Sequence, residues 1–305
     1  MIENQGNSVL ASEKPSLWRQ MLKARWGYTF ISPFYILFTI FALYPLGLSI
    51  YLAFTRWKGV GSMEFAGLVN FQLIPKDRLF WQSMSNGVII FFMYVPLMIF
   101  LALVLAVVLN SGKVKGFRFF RTLIFLPFVT NMVAAGFAFR ILLEQKNGLF
   151  NMLLGYIGIP SIPWLENIWW ARVSVGLLVL WAWLGYNMVI MLAGLQTIPN
   201  DLTEAAKVDG ATPIQAFFKI TVPLMRPVIL FCVITSTIGS FGLFAEVTTL
   251  TGGGPANATI TPLIRIFGTA FSNYNYGLAS AEAYTFFILI FVVAIFQFRM
   301  NREES

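Results

Sequence analysis

The sequence contains no histidine and a single cysteine, Cys232, among its 305 residues. Without histidine the chain lacks the commonest general base, the commonest transition-metal ligand and any nucleophile–histidine pair. One cysteine excludes an intrachain disulfide and a cysteine-based metal site. The sequence therefore offers no candidate catalytic residue and no candidate metal ligand set, and we expect no enzymatic activity in this chain.

Charged residues are also scarce, at 11%, whereas 58% of the residues are hydrophobic and the mean hydropathy is +0.74. A soluble domain carries about 25% charged residues, so this chain has too little polar surface to face water on all sides. We expect an all-α integral membrane protein. The net charge of +8 is typical of the cytoplasmic ends of membrane helices, where Lys and Arg collect, so we expect membrane lipid and no nucleic acid as a partner.

Long uncharged segments predict six transmembrane helices, because about 20 apolar residues cross a bilayer. The expected spans are 29–54, 87–110, 120–143, 173–195, 225–249 and 278–299, within a membrane domain at 26–299. Lys and Arg are more frequent at the span ends next to loop two, between the second and third spans, and loop four, between the fourth and fifth. Loop two contains Lys113, Lys115, Arg118 and Arg121. Because positive residues collect on the cytoplasmic side, we expect cytoplasmic tails at 1–25 and 300–305 and a cytoplasmic loop at about 197–223.

That last loop contains the amphipathic segment EAAKVDGATPIQAFFKITVP. Asp201 is expected to cap a first short helix, which Gly210 ends in a left-handed conformation. Thr212, Pro213 and Gln215 predict the start of a second helix through a capping box and a proline at the first helical position. Two interpretations follow from these residues: the helices rest their phenylalanines on lipid, or they dock into a soluble partner.

Docking is favoured by the side chains at the start of the segment. The carboxylate of Glu204 can accept a hydrogen bond from an arginine, and Asp209 adds a second acceptor in the next turn. Ala205 and Ala206 are small enough to permit a close approach. The sequence alone leaves both interpretations open.

The same segment resembles the EAA loop of permeases in binding-protein-dependent ABC importers. The residues that stand at the family spacing are Glu204, Ala205, Ala206, Gly210, Ile220 and Pro223, with Val222 where the family prefers leucine. The stretches FAGLVNF, FFRTLIFLP and TGGGPANAT resemble carbohydrate-importer permeases of the MalF-like type. The resemblance implies the type I ABC importer permease fold, with six transmembrane helices, in the prokaryotic cytoplasmic (inner) membrane.

The resemblance also implies the partners: a second permease subunit in a heterodimer, two ATP-binding-cassette ATPase subunits, an extracytoplasmic solute-binding protein and a sugar. The coupling residues it implies are Glu204, Ala205, Ala206, Asp209, Gly210, Phe217, Ile220 and Pro223. The chain has no G-x-x-x-x-G-K-[ST] phosphate loop. We therefore expect no cofactor in this chain, with ATP and Mg on the ATPase subunits.

Polar residues within spans four and five are candidates for a substrate path. These are Tyr186, Asn187, Ser236, Ser240 and Glu246, and the resemblance to MalF-like permeases implies Leu184, Gly185, Met188, Gly239 and Leu243 as further path residues, together with the two serines. Asn187 either bonds a neighbouring helix or faces a cavity, and the serines and glycines of span five also fit a helix-packing face. Glu246 is the acid near the end of an apolar span, and Arg140 is either its counter-ion or a marker of the membrane boundary.

Two other functions remain as alternatives to an ABC permease. An ion-coupled secondary transporter usually has inverted repeats and several interior acids, and this sequence has neither feature. A membrane-embedded transferase would need clustered carboxylates or histidines near an interface, and the sequence contains no such cluster. The identity of a transported sugar is not encoded in any of these motifs.

Overall fold

The computed structural model describes residues 23–111 and 115–302. The predicted tails at 1–25 and 300–305 therefore lie mostly outside the described residues, as does Lys113 of loop two. The chain divides into two compact units, residues 1–51 and 52–305. In the first unit the structure describes helix α1, Arg25–Ala53. The last two residues of this helix, Leu52 and Ala53, belong to the second unit. A π-helical turn at Thr39–Leu43 interrupts it.

The second unit begins with a short antiparallel hairpin and continues as helices. Strands β1 (Thr55–Arg56) and β2 (Glu64–Phe65) pair Thr55 with Phe65 and Arg56 with Glu64. The helices are α2 Val69–Leu73, α3 Arg78–Asn110, α4 Phe117–Val129, α5 Met132–Leu142, α6 Leu149–Tyr156, α7 Ile168–Leu195, α8 Asn200–Val208, α9 Pro213–Leu224, α10 Arg226–Phe241, α11 Ala245–Leu250, α12 Pro262–Phe267 and α13 Tyr276–Arg302.

Four of these helices, α1, α3, α7 and α13, are long and apolar enough to cross a membrane, and two bent pairs bring the number to six if each pair is one span. The predicted third span, 120–143, is not one helix: α4 and α5 meet at 96°. Pro127 lies in the last turn of α4, and Thr130 and Asn131 are extended. The Asn131 side chain then caps α5 by accepting from Val133 and Ala134, so a new helix starts in a new direction.

The other predicted spans differ from the structure mainly at their ends. Helix α3 begins at Arg78 rather than 87, and α7 begins at Ile168 rather than 173. The side chains of Asp77 and Asn167 accept the first free backbone N–H groups of these helices, which allows polar first turns that hydropathy does not detect. The predicted fifth span, 225–249, is divided into α10 and α11 by a break after Phe241.

The core of the second unit is built on α3 and α7, which run parallel: Asn86 contacts Arg172 near their starts, and Met98 contacts Asn187 farther along. Helix α4 also packs on α7, and the backbones of these two helices are unusually close. A Cβ atom at Gly185 would lie 2.1 Å from the carbonyl oxygen of Ile124. Small residues allow membrane helices to approach in this way, so Gly185 serves the packing of α4 on α7.

Three charged side chains form an ion cluster between the start of α3, α12 and α13. Arg265 pairs with both Asp77 and Glu282, and the Glu282 side chain is completely buried. Burial raises the pKa of Asp77, but the backbone N–H of Phe80 and the guanidinium of Arg265 outweigh it and hold that pKa below its ordinary value of 3.8. The cluster ties three distant segments of the chain together at one end of α3.

Replacement of Gly185 by alanine is expected to destabilise the protein by about 1–3 kcal/mol, because the added methyl group forces α4 away from α7. The matched control is Gly239→Ala, since a Cβ at Gly239 meets nothing within 4 Å. Thermal unfolding in detergent measures both variants. Equal stabilities of the two variants would show that the close α4–α7 contact does not constrain the fold.

Asp77→Asn tests the ion cluster separately from the helix cap, because asparagine caps a helix as well as aspartate does. A carboxyl with a lowered folded-state pKa stabilises the fold above its unfolded pKa and loses that contribution as the pH falls through its folded pKa. We expect D77N to lose about 1–3 kcal/mol at pH near 7, with the difference from wild type disappearing as the pH falls below about 4.

Thermal unfolding across pH measures this difference, and the exposed Asp209 provides the control, Asp209→Asn, which should show little change at any pH. A deficit of D77N that stayed constant with pH would assign the effect to the cap and not to the pairing with Arg265.

Candidate functional site

A cavity of about 350 Å³ lies between α3, α7, α10 and the start of α11. Its lining residues are Tyr94, Met98, Val179, Trp183, Tyr186, Asn187, Thr235, Ser236, Ile238, Gly239, Gly242, Leu243 and Glu246. The volume lies in the range of ligand pockets, about 300–1,000 Å³, and the mixture of an apolar wall with a few polar groups is typical of them.

Asn187 contributes an amide side chain to the cavity wall, and 2% of the residue's surface is exposed. Its Nδ2 donates to the Trp183 carbonyl oxygen at 3.1 Å and contacts the Met98 sulfur at 3.7 Å. Its Oδ1 is buried and accepts no hydrogen bond. Asn187 therefore combines the two roles that the sequence left open: its side chain contacts a neighbouring helix, and the residue lines the cavity.

The hydroxyl groups of Tyr94 and Ser240 are 2.7 Å apart and join α3 to α10. Ser240 also donates to the Ser236 carbonyl oxygen at 2.7 Å. Because a serine has one O–H group, the Tyr94 hydroxyl is the donor in its bond to Ser240. The Tyr94 hydroxyl group is therefore bonded to a completely buried serine, while the rest of the Tyr94 residue lines the cavity.

Aromatic rings form one side of the cavity. Tyr186 stacks on Phe128 with ring centroids 4.8 Å apart, and Trp183 meets Tyr186 edge-on at 5.7 Å. Phe128 also packs edge-on against Trp183 at 5.2 Å. Phe128 lies at the end of α4, next to the right-angle break, so the break positions the ring that supports both cavity-lining aromatics.

The structure brings together six of the predicted path residues in this cavity: Tyr186, Asn187, Ser236, Gly239, Leu243 and Glu246. Leu184 lines a separate apolar groove beside α4 and α5, and Gly185 packs against α4. Met188 is completely buried in the core, and Ser240 is bonded to Tyr94 behind the wall. These four side chains support the path or lie outside it.

Glu246 lies in the first turn of α11, with 8% of its surface exposed, and it is the charged residue of the cavity lining. A carboxylate near a helix N-terminus is stabilised by the helix dipole. Arg140 is exposed, and no ion pair joins it to Glu246 among the described residues. The pairing of Arg140 with Glu246 therefore remains a prediction.

The EAA segment (204–223) forms two short helices, as the sequence predicts. Gly210 has φ +79°, and the Thr212–Gln215 capping box is complete. Helix α8 begins at Asn200, so Asp201 lies in its first turn and not at the cap. The second helix continues past Pro223 to Leu224 through a π-helical turn at 217–221.

Most predicted coupling residues at the start of the EAA segment are exposed. Glu204, Ala205, Asp209 and Gly210 are open to solvent, whereas Ala206 is buried. Phe217 packs on the core, and Ile220 and Pro223 are half-buried. The segment thus presents an acidic, small-residue edge at the end of the bundle where α7 ends, and an apolar edge anchors it.

The TGGGPANAT stretch lies at the opposite end, where α3 and α7 start. Arg172 donates to the Ala258 carbonyl oxygen and to Asn86 Oδ1, and Asn86 donates to the carbonyl oxygens of Asn257 and Ile260. Gln82 donates to the Ala256 carbonyl oxygen. Side chains of two parallel helices therefore hold this loop through its backbone.

Sequence reasoning missed several residues of the cavity wall. Trp183 lies three and four residues before Tyr186 and Asn187, a spacing that puts all three on one helix face. Tyr94 and Thr235 carry polar side chains within apolar helices. The same signal, a polar residue in an apolar span, identified Asn187. Arg172, Asn86 and the pairing of Arg265 with Asp77 have no local motif, because the partners lie 86 to 188 residues apart in the sequence.

Comparisons with known proteins agree with this architecture. The lactose transport system permease protein of Rhizobium radiobacter is 39% identical over 284 residues, which cover 92% of this chain and 95% of that protein. An arabinooligosaccharides transport system permease protein of Halalkalibacterium halodurans is 32% identical, covering 88% of this chain and 85% of that protein.

The fold matches a solved bacterial alginate ABC transporter in complex with an alginate pentasaccharide-bound periplasmic protein. The TM-score is 0.80 at 22% identity, and the match covers 95% of this chain and 98% of that chain. This likeness establishes the ABC importer permease fold. Residues 78–303 match the family described as binding-protein-dependent transport system inner membrane component, and the chain is a permease of that family.

Proposed function

We propose that the chain is one of two permease subunits of an ATP-driven importer that passes a saccharide across the cytoplasmic membrane. Relatives of this chain are permeases named for the transport of lactose, arabinooligosaccharides and trehalose/maltose. A solved relative of the same fold belongs to a transporter that imports the acidic polysaccharide alginate. Saccharides are the solutes that these names share.

The observation that carries the proposal is the composition of the cavity wall. The polar side chains of Tyr186, Ser236 and Glu246 line the cavity and can exchange hydrogen bonds with solute hydroxyl groups. The rings of Trp183 and Tyr186 offer flat apolar surfaces for the carbon face of a sugar ring.

The partners follow from the same proposal. An extracytoplasmic binding protein would deliver the solute, a second permease would complete the path, and two ATPase subunits would bind ATP and Mg. Both termini and the EAA segment would face the cytoplasm. The exposed Glu204, Ala205 and Asp209 would then enter a cleft of one ATPase, where the carboxylates meet an arginine and the alanine allows a close approach.

The transported solute class is tested by ATP-driven uptake into proteoliposomes that hold the chain with its second permease, ATPases and binding protein. We expect uptake from a panel of labelled di- and oligosaccharides. Gly239→Phe should reduce uptake at least tenfold, because the new ring fills the cavity, where a Cβ at Gly239 meets nothing within 4 Å.

The control for this variant is Gly155→Phe, because Gly155 is exposed on α6, away from the cavity, and its Cβ also has open space. Gly155→Phe should transport like wild type. Failure of the wild-type complex to take up any saccharide, or full transport by G239F, would contradict the proposal that a saccharide passes through this cavity.

Glu204→Lys tests the EAA segment as the contact with the ATPases. The reversed charge should repel the arginine that we expect in the cleft, so association of the ATPases and uptake should both fall at least tenfold. The control is Glu166→Lys, because Glu166 is exposed beside the start of α7, at the opposite end. Co-purification of the ATPases and uptake are measured together. Normal association and uptake in E204K would assign the segment to the lipid surface.

A further inference from the structure

The cavity wall contains uncharged polar groups of both kinds, because the side chains of Trp183, Tyr186 and Ser236 carry hydrogen-bond donors. The two N–H groups of Asn187 lie against the Trp183 carbonyl oxygen and the Met98 sulfur, which leaves Oδ1 as its free atom. Tyr94 donates its proton to Ser240. Thr235 donates within its own helix to the Phe231 or Cys232 carbonyl oxygen.

Glu246 adds a charge to these polar groups. Its side chain lies at the cavity, largely buried, and neither an ion pair nor a hydrogen bond from another described side chain neutralises it. Among the described residues, the lining contains no Lys or Arg. Like charges repel more strongly near a largely buried group than in bulk water, so a carboxylate or sulfonate on a solute would meet a repulsive charge at Glu246.

We infer that Glu246 makes the cavity selective for neutral or amino-substituted saccharides and excludes acidic ones. Solute hydroxyl or amino groups donate to Glu246, whereas a carboxylate or sulfonate has no hydrogen to donate and is repelled. The Glu246 carboxylate would thus attract hydrogen-bond donors on a solute and repel a negatively charged group, and both effects contribute to specificity. The inference rests on the proposed saccharide function, since it names the class of saccharide that the same cavity accepts.

The test is equilibrium binding to the whole complex, with both permeases and the ATPases but without the binding protein, whose own specificity would otherwise intervene. The probes are lactose, maltose and cellobiose, each compared with its derivative in which one primary hydroxyl is oxidised to a carboxylate. We expect wild type to bind the neutral sugar at least tenfold more tightly than its acid. Glu246→Gln should reduce this ratio at least tenfold by removing the charge while keeping the size.

Two further variants separate the charge from general damage to the cavity. Glu246→Asp keeps the charge and should retain the discrimination, whereas Glu246→Ala also removes the charge and replaces E246Q if that variant does not fold. Ser236→Ala changes a cavity-lining hydroxyl group and should alter affinity without raising the relative affinity for the acid.

The results distinguish charge selection by Glu246 from the proposed saccharide function itself. Equal binding of neutral and acidic sugars by wild type, or an unchanged ratio in E246Q, would overturn charge selection and leave the saccharide function intact. Absence of binding by every sugar in the panel, together with absence of saccharide uptake, would overturn the proposed function and this inference with it.

Discussion

Polar groups inside a membrane protein must find partners within the protein, because hydrocarbon offers none, and the rest of this structure depends on how that constraint is met along α3 and α7. The two helices run parallel, so polar side chains at their starts meet the same segments. Asn86 and Arg172 bond each other and the backbone of the 256–260 loop. The bundle is thereby fastened at one end by polar contacts.

Farther along the same pair, backbone breaks create space that a continuous packed bundle would not contain. Helix α4 turns by 96° into α5 just beyond Phe128, whose ring supports Tyr186 and Trp183. Helix α10 stops at Phe241, and α11 starts at Ala245, which brings Glu246 to the cavity. Irregular backbone at such depth is tolerated where it lines a cavity or is buried in protein, so the breaks and the cavity belong together.

Local chemistry was predictable from the sequence, and distant pairing was not. The turn at Gly210 and the Thr212–Gln215 capping box depend on neighbouring residues, and both are confirmed. The right-angle break at Asn131 was missed because the segment is predominantly apolar, and hydropathy does not register a cap. Gly185 was placed in the path because of the resemblance to MalF-like permeases, but in the structure it packs against Ile124, on another helix. The pairing of Arg265 with Asp77 was beyond any local pattern.

Among the described residues, the buried side-chain atoms without a hydrogen-bond partner belong to Trp57, Asn187, Arg265, Glu282 and Gln297, and Asn187 is the one of these residues that lines the cavity. Arg265 forms ion pairs with Asp77 and Glu282, and Arg172 donates to the Ala258 carbonyl oxygen and to Asn86. Glu246 also lines the cavity, and no ion pair of the described residues includes it. An unpaired acid in the wall of a cavity of this size suits a path for a hydroxylated solute, because a hydroxyl group that leaves water needs an acceptor in the protein.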